Sequence, residues 1–324
     1  MSTPVPVNTS NVPRIDAETW RPTASWEALA ARARILQRIR EFFVARDVLE
    51  VETPILSRAA APDETIDPLG GAGWYLSTSP ETAMKRLIVA GAGPIYQITR
   101  AFRAGESGAL HNPEFTMLEW YHPGWSWRAL MDETVALVQT ILGAGAVHEF
   151  TFAEAFSRFA GVDPFADSIE TLTNALPGPP PEGLDRLELL DLILTERVEP
   201  AFAALGGVVL LTRFPAERAA MARIDPGPPA TALRFELYAG GVELVNGYQE
   251  LTDAAEQTAR MLAANRKRAA AGRAPLPLDG NFLAALQVGM SDTAGAALGV
   301  DRLVMLAIGA QRLAEVIAFP EDRA

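Results

Sequence analysis

The run FRAGESGALHNPEFTMLEWY, residues 102–121, holds side chains that could bind a charged ligand. Its second half alternates in the period-two pattern of a half-buried strand, and one face carries Phe115, Met117, Glu119 and Tyr121. A core-facing strand has no packing reason to hold a carboxylate there, and burying one without a cationic partner is costly. The pattern therefore predicts that Glu119 meets a cationic ligand or a buried basic group.

Arg103 stands at the end of the preceding predicted strand, residues 95–103. An arginine in that place can clamp carboxylate and phosphate oxygens with two hydrogen bonds, which an enzyme that activates substrates with a nucleotide requires. The alternative for Arg103 taken alone is an ordinary surface ion pair. Its position beside an aromatic and acidic strand favours a role in binding.

A second cluster, ELVNGYQE, spans residues 243–250. Glu243 and Glu250 have opposite parity, so a straight strand would place their carboxylates on opposite faces. A bulge or bend at Gly247 would let them converge, and converging carboxylates beside phosphates suit a displacement assisted by Mg²⁺. The alternative is a pair of solvated strand carboxylates.

The segment AALGVDRL, residues 296–303, ends a predicted strand and begins a helix. Gly299 would let a flat ligand approach closely, and Arg302 falls in the first turn of the helix. A cation there opposes the helix dipole, so a nucleotide phosphate is a fitting partner, whereas the alternative is an arginine that points outward.

Glu81, Glu119, Glu250 and Tyr121 would form a strongly negative pocket if the fold brings them together. Such a pocket suits a small dication, for example a diamino acid, and the alternative is that the three carboxylates never meet. Neither the G-x-x-x-x-G-K-[ST] loop nor a G-x-G-x-x-G after a strand occurs in the sequence. A nucleotide would therefore be held by other means than these common phosphate loops.

The elements that must position these residues are strands gathered into hairpins, with helices before, between and after them. This order predicts an α+β fold with a mostly antiparallel sheet flanked by helices. Residues 1–24 are rich in Pro, Ser and Thr and are predicted to be a flexible arm. Residues 25–324 are predicted to form one domain, with a helical insertion at about 125–205.

The composition narrows the class of function. The 324 residues are 49% hydrophobic, which is ample for a core, and they include no cysteine, which excludes disulfides, thiolate metal sites and cysteine nucleophiles. The net charge of −12 disfavours nonspecific binding to nucleic acid. With no signal peptide and no apolar run of membrane-spanning length, we expect a cytoplasmic protein that does not bind membranes.

Three segments, in order, resemble the motifs of class II aminoacyl-tRNA synthetase catalytic domains, specifically their lysyl branch. Residues 46–56, RDVLEVETPIL, resemble motif 1, which supports the dimer interface in that family. Residues 102–121 resemble motif 2, and residues 295–306 resemble motif 3. The resemblance extends from about residue 25 to the end of the chain and implies that fold, a homodimer, ATP and Mg²⁺.

Lysyl-tRNA synthetases also carry an N-terminal OB-fold for the anticodon, and about 25 residues leave no room for one. In this respect, and in its ending EVIAFPEDRA, the chain resembles stand-alone paralogues that modify translation elongation factor P. The resemblance implies a ligase that activates (R)-β-lysine or lysine as an adenylate and transfers it to a lysine of elongation factor P, with no tRNA acceptor.

Ala297 stands where the lysyl branch usually has glycine, so which diamino acid is preferred stays open. The alternatives are a truncated lysyl-tRNA synthetase that charges tRNA, and a synthetase-like regulator without catalytic activity.

The resemblance also implies a role for each matching position. Arg103 and Arg302 would be catalytic, and Arg103 would hold the α-phosphate and the substrate carboxylate. The implied substrate-binding residues are Ser79, Glu81, Glu119, Tyr121, Asn246, Tyr248 and Glu250. The implied ATP-binding residues are Arg103, Glu106, Asn112, Phe115, Glu243, Leu244, Gly299 and Arg302. Glu243 and Glu250 would bind Mg²⁺.

Overall fold

The backbone is built around an eight-stranded sheet in a computed structural model that describes residues 20–324. Across the sheet the strands run in the order β1 (Leu49–Glu50), β5 (Ile95–Phe102), β6 (Glu114–Pro123), β13 (Thr293–Gly299), β12 (Val242–Gln249), β11 (Arg234–Ala239), β8 (Val208–Thr212) and β7 (Val147–Thr151). The inner neighbours are antiparallel, and the pair at each edge is parallel. The predicted α+β fold with a mostly antiparallel sheet is confirmed.

Short strands form two small accessory sheets. One consists of β2 (Leu56–Ser57), β3 (Gly70–Gly71) and β4 (Trp74–Leu76), and the other of β9 (Ile224–Asp225) and β10 (Thr231–Ala232). The segment that resembles motif 1, residues 46–56, contains only the two-residue strand β1 and the start of β2. A proline at position 54 explains the interruption, because proline cannot donate to a strand ladder.

Helices cover both faces of the large sheet. They are α1 (Trp26–Val44), α2 (Glu81–Val89), α3 (Trp127–Leu142), α4 (Phe152–Ala160), α5 (Ile169–Asn174), α6 (Arg186–Ile193), α7 (Glu199–Leu205), α8 (Ala254–Ala270), α9 (Gly280–Val288) and α10 (Val300–Ala307). Ser25 caps the start of α1, and a capping box of Thr151 and Glu154 begins α4. Among the described residues, no helix is both long and apolar enough to cross a bilayer.

The segment at about 125–205, predicted as a helical insertion, divides between two cores. Helix α3 buries Leu130, Leu137 and Val138 in the main core on the large sheet, and β7 extends that sheet. Helices α4, α6 and α7 pack in a second core that includes residues of β8 and β11. The segment therefore contributes to the central layer as well as to its helical cover.

Residues 1–19 of the predicted N-terminal arm lie outside the described residues. At the end of the arm, the Thr23 hydroxyl donates to the carbonyl of Ile317 at 2.9 Å, and the Thr23 N–H donates to that of Ala318 at 2.9 Å. These bonds join the entry into α1 to the last part of the chain.

Candidate active site

A cavity of about 910 Å³ lies over the face formed by β6, β13 and β12. Its wall includes every side chain that the sequence analysis assigned to a substrate, nucleotide or metal. They are Ser79, Glu81, Arg103, Glu106, Asn112, Phe115, Glu119, Tyr121, Glu243, Leu244, Asn246, Tyr248, Glu250, Gly299 and Arg302. The structure gathers these residues in one place, while their individual roles remain predictions.

Strand pairing sets the floor of the cavity. Glu119 of β6 lies opposite Ala297 of β13, and Ala297 lies opposite Asn246 of β12. Directly opposite residues share a face of a sheet, so these three side chains face the cavity together. The alternation predicted for β6 is confirmed, because Leu118 and Trp120 point to the other face and join the main core.

Glu119 is buried with both carboxylate oxygens hydrogen-bonded. The Tyr121 hydroxyl donates to one oxygen at 2.6 Å, and the Ser79 hydroxyl donates to the other at 2.8 Å. The Ser79 oxygen also accepts from the backbone N–H of Glu81 at 3.1 Å. Ser79 therefore links the first turn of α2 to β6, although the helix begins at Glu81 rather than at the serine.

The sequence analysis missed Lys85, whose side chain is fully buried among the acidic residues. Its Nζ donates to the Glu81 carboxylate at 2.6 Å and forms an ion pair with Glu250. The predicted meeting of Glu81, Glu119 and Glu250 is observed, because Lys85 contacts both Glu81 and Glu250, and the charges of Glu81 and Glu119 act on Glu250. We refer to these three carboxylates, Lys85 and Tyr121 as the acidic pocket.

Burial and mutual repulsion raise the pKa values of acidic side chains in the acidic pocket. Burial, followed by the charge of Glu81, raises the pKa of Glu119 to about 7. Burial raises the pKa of Glu250 to about 8, although Lys85 acts in the opposite direction. The pKa of the Tyr121 hydroxyl lies well above its ordinary value because of burial and the neighbouring carboxylates, so Tyr121 remains a hydrogen-bond donor.

Arg103 follows the end of β5 and lies against Phe115, with its guanidinium carbon 5.0 Å from the ring centroid. Its Nη1 is 3.6 Å from the Glu106 carboxylate. Its Nε is buried without a hydrogen-bond partner in the described part of the chain. Arg103 therefore has a donor available for an anionic ligand, beside an aromatic ring on which a base could stack.

Arg302, in the first turn of α10, points into the cavity rather than outward. Its guanidinium donates to the carbonyl of Glu243 at 2.9 Å and to that of Leu110 at 3.2 Å, and it contacts His111 Nε2 at 2.8 Å. These neutral acceptors hold the cation at the helix N-terminus. Only one carboxylate, that of Glu243 at 3.7 Å, is among its ion-pair partners in the described residues.

Asn112 also lines the cavity, but both polar atoms of its amide group make hydrogen bonds within the protein. Its Nδ2 donates to the carbonyl of Glu114 at 2.6 Å, and its Oδ1 accepts from the N–H of Glu321 at 3.0 Å. Asn112 thus fixes the start of β6 against the end of the chain.

A β-bulge reorients the start of β12. Val245 pairs with Leu237 and Glu243 with Tyr238, so Leu244 is the extra residue. The bulge turns Glu243 to the face that carries Asn246 and Tyr248. A bulge in this strand was predicted, but its predicted position at Gly247 is wrong. Gly247 is small for another reason: a Cβ there would lie 2.4 Å from the ring of Phe235.

The sequence analysis also missed Glu236, a buried carboxylate on β11 opposite Asn246. Glu236 accepts hydrogen bonds from Arg234, Tyr238 and the Asn246 amide, the last at 3.2 Å. Glu236 also lies close enough to Glu243 for the charge of Glu243 to raise its pKa. Glu243 and Glu250, the predicted Mg²⁺ pair, both line the cavity.

The family comparison agrees with the fold. The sequence model of the tRNA synthetases class II (D, K and N) matches residues 17–323, and the chain belongs to this family. A relative from Vibrio cholerae serotype O1 (strain ATCC 39315 / El Tor Inaba N16961) is 44% identical, over 94% of this chain and 98% of its own length. It is named elongation factor P–(R)-β-lysine ligase.

Two further relatives carry the same name. The protein of Edwardsiella ictaluri (strain 93-146) is 46% identical, and that of Salmonella arizonae (strain ATCC BAA-731 / CDC346-86 / RSK2980) is 44% identical. Each match covers 95% of this chain and 99% of the relative. The similarity therefore extends over nearly the full length of all three relatives.

Proposed function

We propose that this chain is a cytoplasmic, ATP-dependent ligase that activates (R)-β-lysine or lysine and transfers it to a lysine side chain of translation elongation factor P. The observation that carries the proposal is the acidic pocket. Glu81, Glu119 and Glu250 supply three negative charges when ionised, and Lys85 offsets one of them. The remaining two match the two ammonium groups of a diamino acid, and the names of the relatives support the same substrate.

In the first step, a carboxylate oxygen of the amino acid attacks the α-phosphorus of ATP. The bond to the bridging oxygen breaks, and pyrophosphate leaves with its electrons. Arg103 and Asn246 line the same cavity as the acidic pocket and Arg302, and there they would orient the carboxylate and offset charge on the α-phosphate. The ring of Phe115 offers a stacking surface for adenine, and Glu106 stands nearby to read its edge.

Mg²⁺ needs only one or two carboxylates when phosphate oxygens and water complete its shell. Glu243 fits this requirement, and Glu250, which also lines the cavity, is its predicted partner. We therefore assign the metal to Glu243 and Glu250, with Glu250 also close to the amino acid. When bound, the ion would neutralise phosphate charge beside Arg302.

In the second step, the neutral ε-amine of the acceptor lysine attacks the adenylate carbonyl. An amide bond forms, AMP leaves with the electrons of the broken C–O bond, and the amine loses a proton. No side-chain nucleophile of the enzyme is needed, in keeping with a chain that has no cysteine. The enzyme contributes mainly positioning and electrostatic stabilisation.

A homodimer is part of this proposal. Large apolar side chains stand exposed near the motif 1 segment, at the end of α1 and on the short strands; they are Val44, Leu49, Leu56 and Trp74. Exposed apolar surface of this kind favours an interface between protein chains. Light scattering that gives the mass of a monomer at micromolar concentration would contradict it.

The two rival functions differ in acceptor and in chemistry. A lysyl-tRNA synthetase would share the adenylate step, but the net charge of −12 does not favour a tRNA partner. A regulator without catalysis has no need for Arg103 to keep a free donor beside Phe115.

Arg103→Ala tests the adenylate step. It should slow lysine-dependent exchange of pyrophosphate into ATP by at least about a hundredfold, as for loss of a preorganised electrostatic group. Arg100→Ala, on the strand that Arg103 follows, is the matched control, because Arg100 is exposed and pairs with Glu114 at the surface. Exchange by Arg103→Ala near the wild-type rate would contradict the assignment.

A further inference from the structure

Lys85 is a fully buried cation that meets more negative charge than it can neutralise. One ammonium group lies between Glu81 and Glu250, and its charge also acts on Glu119. A structural ion pair would need a single carboxylate partner. Here the surplus of carboxylates is left facing a cavity.

Among residues 20–324, the surroundings of Lys85 offer no other charged partner. The side chain lies near Met221, whose sulfur is 3.8 Å from Nζ, and sulfur is a weak acceptor. The adjacent residues of α2, Met84 and Ile88, pack in an apolar cluster with residues of α8 and α9. The charged groups that act on Lys85 are Glu81 and Glu250.

We propose that Lys85 is a positioning and specificity residue that acts as a fixed third cation of the acidic pocket. It holds Glu81 and Glu250 in place and leaves two negative charges for a ligand with two positive charges. The inference rests on the proposed function and extends it, because it explains how the enzyme would select a substrate with two positive charges.

Removing the cation has a defined consequence for protonation. Like charges that share a buried site cannot all ionise, and an adjacent cation favours their charged forms. With Lys85 present, the pKa of Glu119 is already about 7, although Lys85 acts to lower it. Without Lys85 the pKa of Glu119 would rise, so the free enzyme would hold an extra proton at neutral pH that a dication must displace.

Lys85→Met, which keeps the length and removes the charge, tests this account by pyrophosphate exchange. The KM for the diamino acid should rise about tenfold or more at neutral pH, as for loss of a hydrogen-bonded charged partner. The pH range over which this KM falls should shift to higher pH, while the saturated rate stays unchanged. A KM profile that coincides with the wild-type profile would overturn the proposal.

Lys267→Met is the matched control, because Lys267 is exposed and its ion-pair partner Glu64 is a surface residue. It should leave the KM profile in place. If Lys85→Met does not fold, Lys85→Arg carries the test: it keeps the charge, so the KM for the diamino acid should rise while its pH profile stays where it is. An alkaline shift in Lys85→Arg would contradict the charge argument.

Chemical rescue distinguishes the cation from a packing role. In folded Lys85→Ala, n-propylammonium replaces the deleted atoms and should lower the KM for the diamino acid. The neutral alcohol of the same size, n-propanol, should not lower it. No rescue by any primary alkylammonium would overturn the proposal. Failure of the proposed function is a separate result, because the wild-type enzyme itself would then show no exchange with any diamino acid.

Discussion

The charge of the acidic pocket depends on pH through the protonation of Glu119 and Glu250. Their pKa values of about 7 and about 8 lie above the ordinary value for glutamate because both carboxylates are buried near other acids. The folded state therefore holds these protons more tightly than the unfolded chain does. Their contribution to the free energy of unfolding is present at low pH and is lost as pH rises through these values.

A bound diamino acid reverses this dependence, because its ammonium groups favour the ionised carboxylates. We expect lysine to raise the melting temperature more above pH 8 than below pH 7, since the pocket is ionised above the two pKa values. The KM for lysine in pyrophosphate exchange should fall over the same interval. A stabilisation by lysine that is equal on both sides of the interval would contradict the account.

Glu119→Gln gives the control for this titration. The substitution keeps the shape but removes one titrating group and one charge, so the KM for lysine should rise about tenfold to a hundredfold and depend less on pH. The exposed Glu149, which pairs with Arg128, gives the matched variant Glu149→Gln without an expected effect. An unchanged KM in Glu119→Gln would remove this residue from the ammonium pocket.

The strands show which parts of the site a sequence can reveal. The period-two alternation of β6 predicted the face that carries Glu119 and Tyr121, and the register of β6 with β13 agrees. The bulge at Leu244 was misplaced because leucine carries no turn signal, while Gly247 owes its size to the ring of Phe235. Glu236 was missed although the same argument, a carboxylate between apolar strand residues, applies to it.

Lys85 was missed for a reason that lies in helix geometry. Glu81 and Lys85 are four residues apart, a spacing typical of an exposed ion pair on a helix surface. Nothing local indicates that this face of α2 is covered. Only the arrival of Glu250 from β12, far along the chain, makes the lysine part of the site.

Strand β13 crosses the pocket at Gly295, which lies between Tyr121 and Tyr248 in the pairing of β6, β13 and β12. A Cβ at Gly295 would lie 2.3 Å from the Tyr121 ring and 2.6 Å from Glu250 Oε1. Gly295→Ala should therefore displace both groups, lower the free energy of unfolding by about 1–3 kcal/mol and sharply raise the KM for the diamino acid.

Urea denaturation and pyrophosphate exchange measure the two effects of Gly295→Ala. Gly280→Ala is the control, because a Cβ there would meet no atom within 4 Å. Wild-type stability and KM in Gly295→Ala would show that the strand does not constrain the pocket as described.

At the scale of the whole molecule, the order of strands and helices sufficed to predict an α+β fold with a mostly antiparallel sheet. It did not predict that α3 would lie in the main core or that β7 would pair in parallel with β8 at the sheet edge. Both depend on contacts between segments far apart in the sequence. The cavity likewise combines α2, β5, β6, β12, β13 and α10, and only their assembly brings the acidic pocket into one cavity with Arg103 and Arg302.

The central claim is that the activated diamino acid passes to a protein rather than to a nucleic acid. The most direct measurement offers labelled (R)-β-lysine and labelled lysine, with ATP and Mg²⁺, to elongation factor P and to tRNA in parallel. We predict label on a lysine of elongation factor P that depends on ATP and is lost in Arg103→Ala. Label on tRNA with none on elongation factor P would contradict the account.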